Sequence, residues 1–130
     1  MSLATFDETR PRTQGVIIDA AAVGADKQIW TDTRYFTRID RILAISDDGI
    51  DHQVVIKITG ALGDDVTLGE ITIPAGAGFG ILLPVDVLTL LGLNDLGLRL
   101  NMNEAILANC TVAMTGATLI QIAAHGGYLV

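Results

Sequence analysis

A single cysteine, Cys110, stands in the 130 residues, so no disulfide can form within the chain and the fold must rest on its core. Lysine is almost as scarce. Lys27 and Lys57 are the only two, and eight basic residues in all face fifteen acids, for a net charge of −7. A nucleic-acid partner needs a basic surface to meet its phosphates, and this balance argues against one. One Trp, two Tyr and three Phe are too few for the sugar-stacking clefts of glycoside hydrolases. Ser2 and Ser46 are the only serines, and no Gly-x-Ser-x-Gly elbow occurs. The two histidines, His52 and His125, have no Cys or His at metal-ligand spacing. Hydrophobic residues make up 50% of the chain and the mean hydropathy is +0.49, yet no apolar run approaches the roughly 20 residues of a membrane helix. The start Met1-Ser2-Leu3 lacks the basic and apolar parts of a secretory signal, so no membrane passage is expected. The apolar excess is instead expected to disappear into a subunit interface.

What the chain does have is strands. Ile39 to Thr59 holds two runs rich in Ile, Leu and Val around Ser46-Asp47-Asp48-Gly49, which reads as a central β-hairpin. In its second run His52, Val54, Ile56 and Ile58 share one parity and Val55, Lys57 and Thr59 the other, the period of a strand with one buried face. Further strands are expected over Gly15–Ala20, Lys27–Asp32 and Val66–Ile73, with Leu93–Asn103 as a loop. A closing hairpin is expected from Glu104–Met114 and Ala117–His125. Pro84 to Gly92 carries the start and stop signals of one or two helical turns, a proline, an early acid and a terminal glycine, while the alternation of Val85, Val87, Thr89 and Leu91 leaves a strand as the competing reading. Residues 1–14 read as an N-terminal arm and 15–130 as a single domain. Seven or eight strands with turn signals about every ten residues, and at most one short helix, make the fold class all-β, a two-sheet sandwich or a small barrel.

Few residues carry chemistry. Asp47, Asp48 and Asp51 form an acidic cluster without the ligand spacing of a calcium loop, and Asp64-Asp65 is a weaker one, so both read as solvated turns. His52, at a strand end, reads as a satisfied surface group. Cys110 shares its parity with Ile106 and Val112 and reads as a small buried hydrophobe. The glycines of Pro74–Gly80 are followed by Ile81-Leu82-Leu83-Pro84 rather than Lys and Ser or Thr, so they read as a turn and not a phosphate cradle. Trp30 reads as packed under the sandwich edge. Arg34, Arg38 and Arg41, with Tyr35 and Phe36 among them, read as an interface patch that meets acids on a neighbour.

The order Ile29-Trp30-Thr31, then Arg38 to Ile45, a polar turn into His52 to Ile58, then Ile71-Thr72-Ile73-Pro74-Ala75-Gly76-Ala77-Gly78 resembles the small jelly-roll virion proteins of tailed bacteriophages. Pro84-Val85-Asp86-Val87-Leu88 and the tail Ala123 to Tyr128 continue the likeness, which spans about residues 15 to 130. Leu100-Asn101-Met102-Asn103-Glu104 departs from the Leu-Pro-Ala-Gly usual in that family. The resemblance implies that the fold is a jelly-roll-like antiparallel β-sandwich of about 8 strands with at most one short helix. It implies also that the chain is a capsid decoration or cement protein, commonly a homotrimer, that binds the major capsid protein on the outer face of a phage head. It brings no catalytic residue, cofactor, metal, nucleic acid or membrane. Surface chemistry adds an expected set of interface residues: Phe6, Arg10 and Arg12 on the arm, Trp30, Arg34, Tyr35, Phe36 and Arg38 in the basic stretch, and Phe79 in the glycine-rich loop. Residues 1–13 and the loops 60–65 and 74–80 are expected to reach outward or to the shell. The alternatives are a tail or baseplate adaptor, a carbohydrate-binding module on the same fold, and a cupin-like metalloenzyme.

Overall fold

A computed structural model describes residues 12–31, 36–60, 62–93 and 97–129. Its strands are β1 (Arg12–Ile18), β2 (Lys27–Thr31), β3 (Phe36–Ser46), β4 (His52–Thr59), β5 (Asp65–Ile73), β6 (Val85–Asp86), β7 (Leu98–Leu100), β8 (Ala105–Cys110) and β9 (Ile120–Leu129). A 3-10 turn at Ala20–Ala22 and one helical turn, α1 (Val87–Leu90), complete the set. The first sheet has the order β1-β9-β3-β6, with β7 also on β3, and the second has the order β2-β8-β4-β5. All pairings are antiparallel. The pairs β4–β5, β3–β6, β2–β8 and β1–β9 nest around one long hairpin that is rolled into two sheets. This is jelly-roll topology: the two-sheet sandwich agrees with the strand pattern, and the jelly roll with what the resemblance implies.

Two connections differ from expectation. β3 lies in the first sheet and β4 in the second, and β8 and β9 are divided in the same way, so both expected hairpins are arches that cross the sandwich. Strands in a hairpin and strands facing each other across a core alternate in the same way, because each has one buried face. The linker decides between them. Residues 47–51 are too many for a two-residue turn, and Gly49 is not among the glycines with left-handed φ that such a turn favours. The true hairpin is β4–β5, closed by residues 60–64, where Gly60 N donates to Asp64 O at 2.8 Å.

The inward parities pack as read: Val54 and Ile56 from β4, Ile106, Ala108 and Cys110 from β8, and Ile120, Ile122 and Ala124 from β9 are all fully buried. Each large apolar side chain so buried contributes about 1.5–3 kcal/mol. β1 begins at Arg12, inside the stretch expected as an arm, and Leu98–Leu100 is a strand where a loop was expected. α1 lies within the expected helical segment, but Pro84 precedes it. Asp86 is its N-cap, accepting from Thr89 N at 3.3 Å, and Val87 and Leu88 turn into the core.

β3 carries a bulge between Ile39 and Arg41. Opposite it stands Gly126, where any Cβ would overlap the Arg38 carbonyl oxygen, so glycine lets the two backbones close on the bulge. The extra residue turns both Asp40 and Arg41 outward while Ile39 and Ile42 stay buried.

Candidate functional site

The arches and the loop between β5 and β6 meet at one end of the sandwich, and the aspartates of the first arch join them. Asp47 Oδ1 accepts from Leu119 N at 2.8 Å, and Asp51 Oδ1 accepts from Ala75 N at 2.8 Å. Asp48 Oδ2 accepts from Thr115 N at 3.0 Å. Backbone bonds add to these, from Gly76 N to Asp48 O at 3.1 Å and from Ser46 N to Ala77 O at 2.9 Å. The acidic cluster is therefore only partly a solvated turn: Asp47 and Asp51 are exposed and Asp48 is buried. Its carboxylates bind the amides of two other loops.

Asp48 and His52 are both buried, with His52 Nε2 and Asp48 Oδ2 2.8 Å apart. The expectation that His52 is a surface group is corrected: one helical-type spacing of four residues across the arch brings it under the loops, against the carboxylate. Burial opposes ionisation of Asp48, but the bonds from His52 and from the amide and hydroxyl of Thr115 outweigh it and hold the carboxyl far below its ordinary range. An ionised carboxylate only accepts, so Nε2 of His52 carries the proton and donates it. On the far side of the ring, Cys110 Sγ stands 3.6 Å from His52 Nδ1 and donates to Val112 O at 3.5 Å.

Cys, His and Asp in line are the parts of an activated nucleophile. Here they are not assembled as one. Burial raises the Cys110 pKa and the charge of Asp48 adds to it, against the lowering by a backbone hydrogen bond of Val112, so the sulfur stays a thiol. Cys110 and His52 are both fully buried, leaving no place for a substrate. The carboxylate and the sulfur address opposite nitrogens of the ring, as they would in a triad, so what sets this line apart from a working nucleophile is its burial and its thiol. Among the described residues, no group of three His, Cys, Asp or Glu is placed to hold a metal ion. Sequence reasoning treated these three residues separately; the arch that joins them was hidden by the hairpin reading.

From this anchored end the loop between β5 and β6 rises into an apolar crest. Ile81 is 99% and Leu83 82% exposed, and Phe79 and Leu82 are about half exposed. Exposed apolar residues occurring singly are ordinary, but four within five positions on one projecting loop form a patch.

Of the expected interface residues, Phe6, Arg10, Arg34 and Tyr35 lie outside the described residues. Arg12 is half-buried at the start of β1. Trp30 is fully buried among the core residues, which withdraws it from any surface, and no hydrogen-bond partner for its Nε1 is found among the described residues. Phe36 is exposed, and Arg38 Nε donates to Asp40 Oδ1 at 2.7 Å. Phe79 sits on the crest, beside the other end of β3. At about 3.3 Å per residue, the length of β3 keeps it roughly 30 Å from Phe36, so the expected residues do not gather into one site. Ile81 and Leu83 were missed, although the run Ile81-Leu82-Leu83 after the glycines was on view.

No protein-family model matches this chain, and no curated protein matches it.

Proposed function

We propose that this chain is a structural virion protein, by preference a capsid decoration protein that forms a homotrimer and binds the major capsid protein on the outer surface of a phage head. The observation that carries this reading is the crest at 79–83, a run of exposed apolar side chains held out by a loop whose base is tied to the Asp51 carboxylate, the Asp48 carbonyl and the Ser46 amide. A rigid sandwich with a greasy projection suits a protein that fastens to a larger assembly, since such contacts are carried by a few apolar anchors seated in a partner's pocket. The phage resemblance supplies the kind of assembly. Cys110, the thiol set against His52, is buried, which supports reading the chain as a part that performs no reaction. Trp30 lies in the core, which removes the side chain on which a glycan-binding reading most depended.

The test is cosedimentation of the purified chain with parent particles stripped of it, followed by electron microscopy with antibody against it. Head-surface label and retention of the wild-type chain, with loss of retention in Ile81→Asp/Leu83→Asp, is the expected result. Label confined to the tail moves the reading to an adaptor, and a chain indifferent to particles ends it.

A further inference from the structure

The outer faces of the two sheets place their charges differently. On the second sheet Lys57 Nζ donates to Asp26 Oδ1 at 3.1 Å, Asn109 Nδ2 donates to the same oxygen at 2.8 Å, and Gln53 Nε2 donates to Thr72 Oγ1 at 2.7 Å, while Glu70 stands exposed on β5. On the first sheet Arg41 is exposed, and no carboxylate or carbonyl among the described residues accepts from its guanidinium. Its neighbour Asp40 is already bound by Arg38.

The register explains what lies beside Arg41. Thr13, His125 and Arg41 form one row across β1, β9 and β3, with Thr13 Oγ1 2.9 Å from His125 Nδ1. The next row is Gly15, Ala123 and Leu43. Small side chains make that row a trough, and it cannot be filled at Gly15, where a Cβ would stand 2.8 Å from Ile122 O. The result is an open groove of about 420 Å³ with an apolar floor, whose rim carries Arg41 together with Asp40, the latter neutralised by Arg38. The β3 bulge is what puts the guanidinium at that rim.

A shape that answers this groove is present on the same chain. The tip of the β4–β5 hairpin carries Leu62, 92% exposed, and Val66, 60% exposed, on either side of Asp64 and Asp65. Asp65 is occupied, since Thr59 Oγ1 donates to its Oδ1 at 2.5 Å. Nothing among the described residues bonds to the Asp64 carboxylate. An unmatched acid between two exposed aliphatic side chains complements an unmatched base above an aliphatic floor.

We infer that the β4–β5 tip of one copy docks in the first-sheet groove of a second copy, with the Asp64 carboxylate on the Arg41 guanidinium and the tip's aliphatic side chains over Leu43 and Ala123. This deepens the assembly reading above and rests on its premise that copies of the chain meet. Tip and groove are different surfaces, so the contact is heterologous and closes into a ring when its rotation allows.

The experiment is sedimentation equilibrium of the full chain in solution, without particles, for wild type, Arg41→Asp, Asp64→Arg and the double exchange. Placing like charges opposite each other costs an interface heavily, so each single variant is expected to weaken self-association by roughly 30-fold or more, and the exchange to restore most of it. Both positions are exposed, and thermal unfolding followed by circular dichroism confirms that each variant folds; Asp64→Asn and Arg41→Gln give the same comparison should a reversal fail to fold. A monomeric wild type, single variants that associate normally, or an exchange as weak as its parents overturns the inference. Ile81→Asp/Leu83→Asp separates the two readings: it is expected to self-associate as wild type does while losing particle binding. Loss of the rescue with particle binding intact sinks only the tip-and-groove contact; rescue by a chain that binds no particle sinks only the decoration reading.

Discussion

The loop between β5 and β6 has two halves that obey opposite rules. In the first, residues 74–78, the backbone is tied to Asp51, Asp48 and Ser46 and Ala77 is buried. In the second, residues 79–83, Ile81 and Leu83 stand in solvent. The backbone of the first half is thus bonded to the arch, while the second half holds large apolar side chains in water. Of the arch carboxylates only Asp48 is buried, and its Oδ2 takes bonds from His52 and the Thr115 amide while its Oδ1 finds no partner among the described residues. Large aliphatic groups in water lower nothing in the free energy of the monomer. The first half therefore sets shape and the second meets something else, and the two should separate under mutation.

The largest effect is expected at the anchored half. Asp48→Ala leaves the His52 ring and the Thr115 amide buried without an acceptor, and breaking a buried pair in this way costs about 3–5 kcal/mol. Urea unfolding should show a fall of that size with an unchanged slope. A loss below about 1 kcal/mol means the arch is not held by this network. Acid should act on the same bond. Because the Asp48 carboxyl is depressed in the fold from its ordinary 3.8, its contribution is fully present above that value and is lost as the pH falls toward the folded value. The stability gap between wild type and Asp48→Asn is therefore expected to be constant from about pH 5 upward and to shrink below about pH 4. A gap that narrows instead on going from pH 5 to pH 8 contradicts this.

At the crest the expected effect is next in size and of a different kind. Ile81→Asp/Leu83→Asp should leave stability within about 0.5 kcal/mol, as surface substitutions do. It should weaken retention on particles by at least about 30-fold, the loss of one interface anchor worth about 2 kcal/mol. Reversal of the pattern, with stability lost and retention kept, means that the crest packs on its own molecule.

How much of this could be read in advance follows from what periodicity encodes. The parities of Val54, Ile56, Ile106, Ile120 and Ile122 identified the buried faces, and Pro84 to Gly92 marked the helical turn. Partnership between strands was not legible, because alternation states that a strand has a buried face and not which strand lies beside it. Hence His52 appeared at the end of a hairpin, in water, when it closes an arch across the core. Asp48 suffered the same way: an acid in a Gly-containing turn looks solvated until the turn is known to span two sheets. Arg41 needed the bulge, which no residue type announces. β7 is three residues long, too short for any period to show. The exposed crest was legible in part, since Ile81-Leu82-Leu83 between a glycine turn and Pro84 has no alternation to bury, but attention to Phe79 drew the expected contact toward the aromatic ring.

The smallest expected effect also bears most directly on whether the anchored half is structure or chemistry. Cys110 touches His52 through a 3.6 Å contact, a weak bond for a weak donor. Cys110→Ser places a stronger donor on a shorter side chain at the same ring nitrogen, so a better bond is set against a worse reach, and the net change in unfolding free energy is expected to stay within about 1 kcal/mol. An aromatic disulfide reagent should leave the native thiol alone and label it at the rate of unfolding, since the sulfur is buried and its pKa is raised by that burial. Fast labelling of the folded chain would mean that the loops above His52 open readily. The Asp48–His52–Cys110 line would then be a reachable site rather than a brace, and the division between an inner half that shapes and an outer half that binds would fail at its inner half.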